Sequence, residues 1–322
     1  MKTFLKIAIS LGILAVLFVL LPWDGLWGAV RRMSLAVWLG VLAGFVAGHA
    51  LGVLKWRRML GVGRALIAPI EALRCYAAGL FANLCLPSIV GGDVLRAVLA
   101  GRSTGRPEAV VIGSIGDRLC DVTALAGLAA GGALFARAEL PGWGANVLGA
   151  LLLVGLVAAA LFVPLALRRP LVSWPRKVRR PLGRALVALR RLSASPGAAA
   201  SVFLMSLAIQ TAFVLLNAWI GRTVGIDVPL AVWFFAWPVA KVAGLLPVSL
   251  GGLGVRDAVF GAALVSFGVP MASGVAASLI WQSVLIAGGL LAGAGWVLLG
   301  RRSPDSPRPS LALRGVQVPR HG

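Results

Sequence analysis

The chain has 322 residues, of which 59% are hydrophobic and 13% charged, with a mean hydropathy of +0.94. A soluble domain carries about 25% charged residues and 45–50% apolar ones, so this composition excludes a soluble globular enzyme, a disordered chain and a disulfide scaffold. About 190 apolar residues suffice for up to about nine spans of about 20 residues each, and the 31 Lys+Arg against 10 Asp+Glu fall in the gaps between apolar runs. Basic residues placed that way read as positive-inside topology signals and contacts to anionic lipid, and no nucleic-acid partner is expected.

Lys2 and Lys6 precede the apolar run Ile7–Leu21, which resembles a signal peptide but has no small-x-small cleavage site; Thr3–Leu21 is therefore predicted to be a retained span. Further full spans are predicted at Ser34–Leu54, Pro107–Phe135, Trp143–Leu167, Gly197–Gly221 and Val275–Leu299. Leu66–Ala100 and Pro229–Ser273 are interrupted by Pro and paired Gly and cannot be single straight helices.

Lys55, Arg57, Arg58 and Arg64 mark one cytoplasmic loop. Residues 168–196 mark a second, with nine Lys/Arg and no acid between Arg168 and Arg191. Arg137–Gly142 and Arg222–Asp227, each with one Arg and one acid, suit the outside; Arg31 and Arg32 fit this topology least well. Both termini are then cytoplasmic, provided that Leu66–Ala100 leaves and returns to the inside and Pro229–Ser273 leaves and returns to the outside. Residues 1–300 form the membrane domain, and residues 301–322, rich in Pro and Arg, a disordered tail.

A motif recurs. Leu86-Pro87-x3-Gly91-Gly92-x3-Arg96 reappears as Leu246-Pro247-x3-Gly251-Gly252-x3-Arg256, half a chain later, where composition alone expects a second match about 3% of the time. One copy lies in a segment that starts and ends inside and the other in one that starts and ends outside, the plan of an inverted repeat. Each copy is predicted to open a half-helix near its Gly pair. Paired glycines at a helix N-terminus expose N–H groups and a positive dipole end, and Arg96 and Arg256 stand one turn further on; together these make an anion site. The candidate binding residues are Pro87, Ser88, Gly91, Gly92, Asp93 and Arg96 in one copy, and Pro247, Ser249, Gly251, Gly252, Arg256 and Asp257 in the other.

Asp93, Asp117, Asp121 and Asp257 lie in apolar stretches, where an ionised group costs at least about 2.5 kcal/mol at a helix centre. Asp117 and Asp121 share a helix face and Arg118 can pair with Asp121, so these three read as a charge network; Asp93 and Asp257 flank the anion site and are the better candidates for a coupling proton or a cationic head group. Glu71 and Arg74 form a local i,i+3 pair. Lys241, isolated in an apolar run, can attract an anion. Trp233 and Trp237 share a face and are expected at the membrane interface. Leu182, Leu186 and Leu189 alternate with arginines as in an amphipathic surface helix. Cys75, Cys85 and Cys120 read as small core residues, and two histidines leave no metal site or His-based triad. No GxxxxGK[ST] run is present, so no nucleotide cofactor is expected.

Lys55-Trp56-Arg57-Arg58, Leu86-Pro87-x3-Gly91-Gly92-Asp93-x2-Arg96, Asp117-Arg118-x2-Asp121 and Leu246-Pro247-x3-Gly251-Gly252-Leu253-Gly254-Val255-Arg256-Asp257 together resemble the lysylphosphatidylglycerol synthase transmembrane family, also called flippase-like domains. The resemblance spans about residues 3–300; one departure is Asp257, where the family more often has Glu. The apolar runs, charge pattern and repeat predict an all-α polytopic inner-membrane protein with six full transmembrane helices and two opposed re-entrant hairpins. The resemblance implies lipid translocation without the soluble aminoacyl-transferase domain, hence no enzyme activity. The implied partners are membrane lipids: anionic or aminoacylated phospholipid, hopanoid or polyprenyl-phosphate lipid. A small-solute secondary transporter and a scaffold for a lipid-modifying enzyme are the alternatives that the same sequence features admit.

Overall fold

A computed structural model describes residues 28, 31–85, 89–136, 183, 184, 187, 188, 190–244 and 254–301. Every regular element among them is an α-helix. The eight helices are α1 (Leu35–Val62), α2 (Pro69–Cys85), α3 (Ile89–Thr104), α4 (Pro107–Ala136), α5 (Pro196–Thr223), α6 (Leu230–Gly244), α7 (Val255–Val265) and α8 (Met271–Arg301). The predicted spans Thr3–Leu21 and Trp143–Leu167, most of the basic loop with its amphipathic leucines, and the 302–322 tail lie outside the described residues.

Four helices, α1, α4, α5 and α8, are long and apolar enough to cross a membrane. They coincide with four predicted spans but overrun them. Ser34 caps α1 by accepting a hydrogen bond from the Val37 N–H at 3.2 Å, and the helix continues through Lys55, Trp56, Arg57 and Arg58 to Val62. Those residues are therefore helical, a correction to the loop expected there. Similarly, α8 begins at Met271 rather than Val275.

The two interrupted segments each form a pair of short helices. At 17 and 16 residues, α2 and α3 are about 25 Å long, shorter than a hydrocarbon core of about 30 Å. Arg106, just past α3, donates from Nη1 to the carbonyl of Arg64, just before α2, at 3.0 Å, so this hairpin leaves and rejoins the bundle at one end. The pair α6 and α7 sits between the C-terminus of α5 and the N-terminus of α8. Pro238 lies inside α6 and does not end it, a correction to the interruption expected at prolines in this stretch.

The order long, short, short, long thus occurs twice, and the halves pack reciprocally. The first hairpin helix of each half lies on the last long helix of the other: α2 on α8 and α6 on α4. Glycines make both contacts close. A Cβ at Gly289 or Gly293 would strike Leu84 or Phe81 at 2.7 or 2.5 Å, and one at Gly132 would strike the Phe235 backbone at 2.4 Å. On α1, Gly40, Gly44 and Gly48 receive Trp219, Leu216 and Phe213 of antiparallel α5, a small-residue stripe that lets two membrane helices approach.

Trp233 and Trp237 are fully buried, not interfacial. Trp233 fills the space left by Gly221, and the Trp237 ring meets Phe260 at 5.6 Å and Trp281 at 5.2 Å between centroids. Cys75 and Cys120 are buried and free, as expected of small core residues, while the Cys85 side chain is outside the described set.

Gly92 provides a direct test of the hairpin crossing. A Cβ there would lie 2.1 Å from the carbonyl oxygen of Gly79. Gly92→Ala should lower stability by about 1–3 kcal/mol through overpacking. Gly127→Ala, at a position with nothing within 4 Å, should be neutral or slightly stabilising. Unfolding midpoints of the detergent-solubilised protein provide the comparison.

Candidate functional site

The hairpin crossing at Gly79 and Gly92 sets the geometry of the site. Tyr76 stands one turn before Gly79 on α2, and Arg96 one turn after Gly92 on α3. Their close approach places the Arg96 guanidinium over both the Tyr76 ring (5.1 Å) and the Trp56 ring (5.0 Å). Arg96 is buried, and it reaches a carboxylate on either side: Asp93 from Nε at 3.2 Å and Asp117 of α4 from Nη2 at 3.1 Å.

Asp117 also faces Lys55 of α1, at 3.0 Å. Lys55 pairs in turn with Asp121, one turn along α4, and donates to the Ser206 hydroxyl of α5 at 3.1 Å. Asp121 meets Arg118 at 3.9 Å, and Arg118 pairs with Asp93. The contacts close on themselves: Lys55, Asp117, Arg96, Asp93, Arg118 and Asp121 form a ring of alternating charge in which every ion touches two of opposite sign. By helix rise the ring lies about 10–20 Å in from the end of the bundle marked by Arg64 and Arg106.

The ring is sealed on one side and open on the other. Side-chain exposure is 2% at Asp117 and below 6% at Lys55 and Arg96, but rises to 18% at Asp93 and 42% at Arg118. A buried charge without its partner is far more costly than the intact pair, so the sealed ions are fixed by one another. The open corner offers a guanidinium with donors to spare beside a carboxylate.

The second motif copy builds a smaller cluster. Gly254, with φ 79°, precedes α7, and its N–H donates to Asp257 Oδ2 at 3.0 Å, so Asp257 caps the helix start. Asp257 also accepts from the Ser278 hydroxyl and pairs with Arg256 at 3.0 Å, while Arg256 donates to Gln282 Oε1 at 2.8 Å. Both charges are buried. The uncharged partners of Asp257 and Arg256, Ser278 and Gln282, stand four residues apart on α8, the spacing that Asp117 and Asp121 have on α4.

Between the clusters stands Lys241 on α6. It donates to Gln210 Oε1 at 2.7 Å and lies 5.0 Å from the centre of the Phe213 ring, and the charges of Asp121, Arg118, Lys55 and Arg256 act on it. Among the described residues no carboxylate lies within ion-pair distance of it. Among the described residues, the ring sets three cations against three acids and Arg256 pairs with Asp257, while Lys241 has Gln210 as its hydrogen-bond partner.

Of the residues singled out from sequence, Asp93, Arg96, Asp117, Arg118 and Asp121 come together in the ring, while Arg256 and Asp257 form the separate pair. Gly91 lies in the first turn of α3, which starts near the Gly pair as predicted. The Gly92 N–H is taken by Asn83 Oδ1 at 3.0 Å, so that amide is not free for an anion. Pro87, Ser88, Pro247, Ser249, Gly251 and Gly252 lie outside the described residues. The expected Glu71–Arg74 pair is present at 3.6 Å. Lys55 is the member that sequence reasoning missed, having been grouped with Arg57 and Arg58 as a topology signal. Its phase was the available clue, since Gly48, Gly52, Lys55, Trp56 and Met59 follow one helical face and all are buried.

A bundle of apolar helices holding a balanced ionic ring defines a polytopic membrane protein with an intramembrane polar site. Residues 3–293 match the family model described as lysylphosphatidylglycerol synthase TM region, and the chain belongs to that family. No curated protein and no solved structure matches the chain.

Lys55→Met should lower stability by about 3–5 kcal/mol, because Asp117 and Asp121 each lose a buried partner. Lys55→Met combined with Asp121→Asn should recover part of that loss, with a coupling energy of about 0.5–3 kcal/mol in a double-mutant cycle. Strictly additive losses would show that the ring contacts are not formed.

Proposed function

We propose that the chain moves an amphiphilic, phosphate-bearing lipid between the leaflets of a bacterial cytoplasmic membrane. In this reading the head group crosses at the open corner of the charge ring while the acyl chains stay in lipid. The observation that carries it is the exposure gradient around the ring, which is highest at Arg118, intermediate at Asp93 and Asp121, and lowest at the enclosed Lys55, Arg96 and Asp117. Membership of a family named for lipid synthesis supports a lipid-related role.

A phosphate offers oxygens that match the fork of a guanidinium, so it can take two N–H donors of Arg118 in exchange for the Asp93 contact. The exchange keeps the charge balance of the apolar layer, which is what a bare head group in hydrocarbon lacks. Asp93, once released, can meet a cationic group on a zwitterionic or aminoacylated head. Lys241 lies next on the way to the second cluster and receives the phosphate there. Arg96 and Arg256, assigned by sequence to hold the head group directly, act here by fixing Asp93, Asp117 and Asp257.

The two hairpins are re-entrant in this account, and the two halves are an inverted repeat that rocks about the site to alternate access. The end bearing Arg64, Arg106 and Arg191 faces the cytoplasm by the positive-inside rule, with both chain termini on that side. No catalytic step and no cofactor is invoked.

Leaflet exchange of labelled phosphatidylglycerol in proteoliposomes tests this reading. Arg118→Gln and, outside the ring, Lys241→Gln should each slow exchange by about tenfold or more, the loss expected for a charge-assisted hydrogen bond. Wild-type rates in both variants, or no exchange of any lipid by the wild type, would overturn it.

A further inference from the structure

A second polar feature lies away from the ring, at the end of the bundle where Arg106 meets Arg64. A cleft of ≈ 350 Å³ opens between the turn after α1, the start of α4 and the segment before α5. Three arginines from three separate segments, Arg64, Arg106 and Arg191, line it together with Glu108.

The backbone holds this arrangement in place. Gly63 is pressed against α4, where a Cβ would lie 2.7 Å from the Ala109 carbonyl oxygen and 3.2 Å from Gly113 Cα. Arg64 follows in the left-handed region at φ 66°, and its carbonyl receives Arg106 Nη1 at 3.0 Å. The Gly63 carbonyl receives Arg191 Nη1 at 2.5 Å. Each of these bonds uses one of the five N–H donors of its guanidinium, so Arg106 and Arg191 are positioned yet retain donors. Arg64 is exposed, and its guanidinium makes no hydrogen bond or ion pair with a described residue. The α4 N-terminus adds first-turn N–H groups without intrahelical acceptors and a positive dipole end.

Three forked cations opposed by one carboxylate, around a cleft the size of a small-ligand pocket, match one chemistry: a tetrahedral oxyanion that accepts several N–H bonds at once. We infer that this cleft is a phosphate-ester binding site, filled by the head group of an anionic phospholipid at the membrane surface or by a free phosphate. The inference is independent of the transport reading, because none of its residues belongs to the ring or to the Lys241 site.

Calorimetric titration of the full chain in uncharged detergent tests it, with dioctanoyl phosphatidic acid and inorganic phosphate as probes and dioctanoylglycerol as the neutral control. The phosphorylated lipid should bind and dioctanoylglycerol should not. Arg64→Gln removes an exposed side chain with no hydrogen-bond or ion-pair partner among the described residues and should weaken binding about tenfold, and Arg64→Gln with Arg106→Gln should abolish it. Arg58→Gln deletes an exposed charge of α1 outside the cleft and should change binding by no more than about twofold. Inorganic phosphate that binds as tightly as the lipid and displaces it identifies free phosphate as the ligand; lipid binding that resists such displacement identifies a head group. Wild-type affinity in both cleft variants, or an equal loss in Arg58→Gln, would overturn the proposal.

Discussion

Charge balance inside an apolar bundle is the constraint on which this structure turns. Asp93, Asp117 and Asp121 are carried into the interior of a bundle of largely apolar helices, and each is tolerated because two cations meet it there. The ring ties together α1, α3 and α4, so a long helix and a short hairpin helix cannot shift separately without breaking ion pairs. The aromatic faces of Trp56 and Tyr76 shelter Arg96 and leave the far corner, at Arg118, as the place where a solute can take part in the balance.

The halves share a plan but not an electrostatic role. Four residues apart on the last long helix of each half stand Asp117 and Asp121 in one case and Ser278 and Gln282 in the other. The second half therefore needs only one pair, Arg256 with Asp257, and Asp257 spends its remaining oxygen on the start of its own helix. That asymmetry leaves Lys241 without a carboxylate partner among the described residues, between an exchangeable cluster and a closed one.

Much of this was legible in the chain. Long apolar runs marked all four of the described long helices, and Pro with paired Gly marked the two segments that split into shorter ones. The i,i+4 spacing of Asp117 and Asp121 announced a shared face, and the i,i+3 spacing announced the Arg118–Asp121 pair. The contacts across helices were not legible, because Arg96 meets Asp117 only after Gly79 and Gly92 bring the hairpin together. Lys55 was hidden by its neighbours: one buried lysine beside Arg57 and Arg58 looks like a topology signal until its helical phase is followed. Trp233 and Trp237 were misplaced for a related reason, since nothing local shows that Gly221, a dozen residues earlier, clears the space for an indole.

The most direct measurement is a structure of the protein in lipid nanodiscs containing an anionic phospholipid. The account predicts head-group phosphate density within about 3 Å of the donors of Arg118 or Lys241, with Arg96 still paired to Asp117. Phosphate density at the Gly91–Gly92 turn, with Arg96 released from Asp117 to meet it, would contradict it.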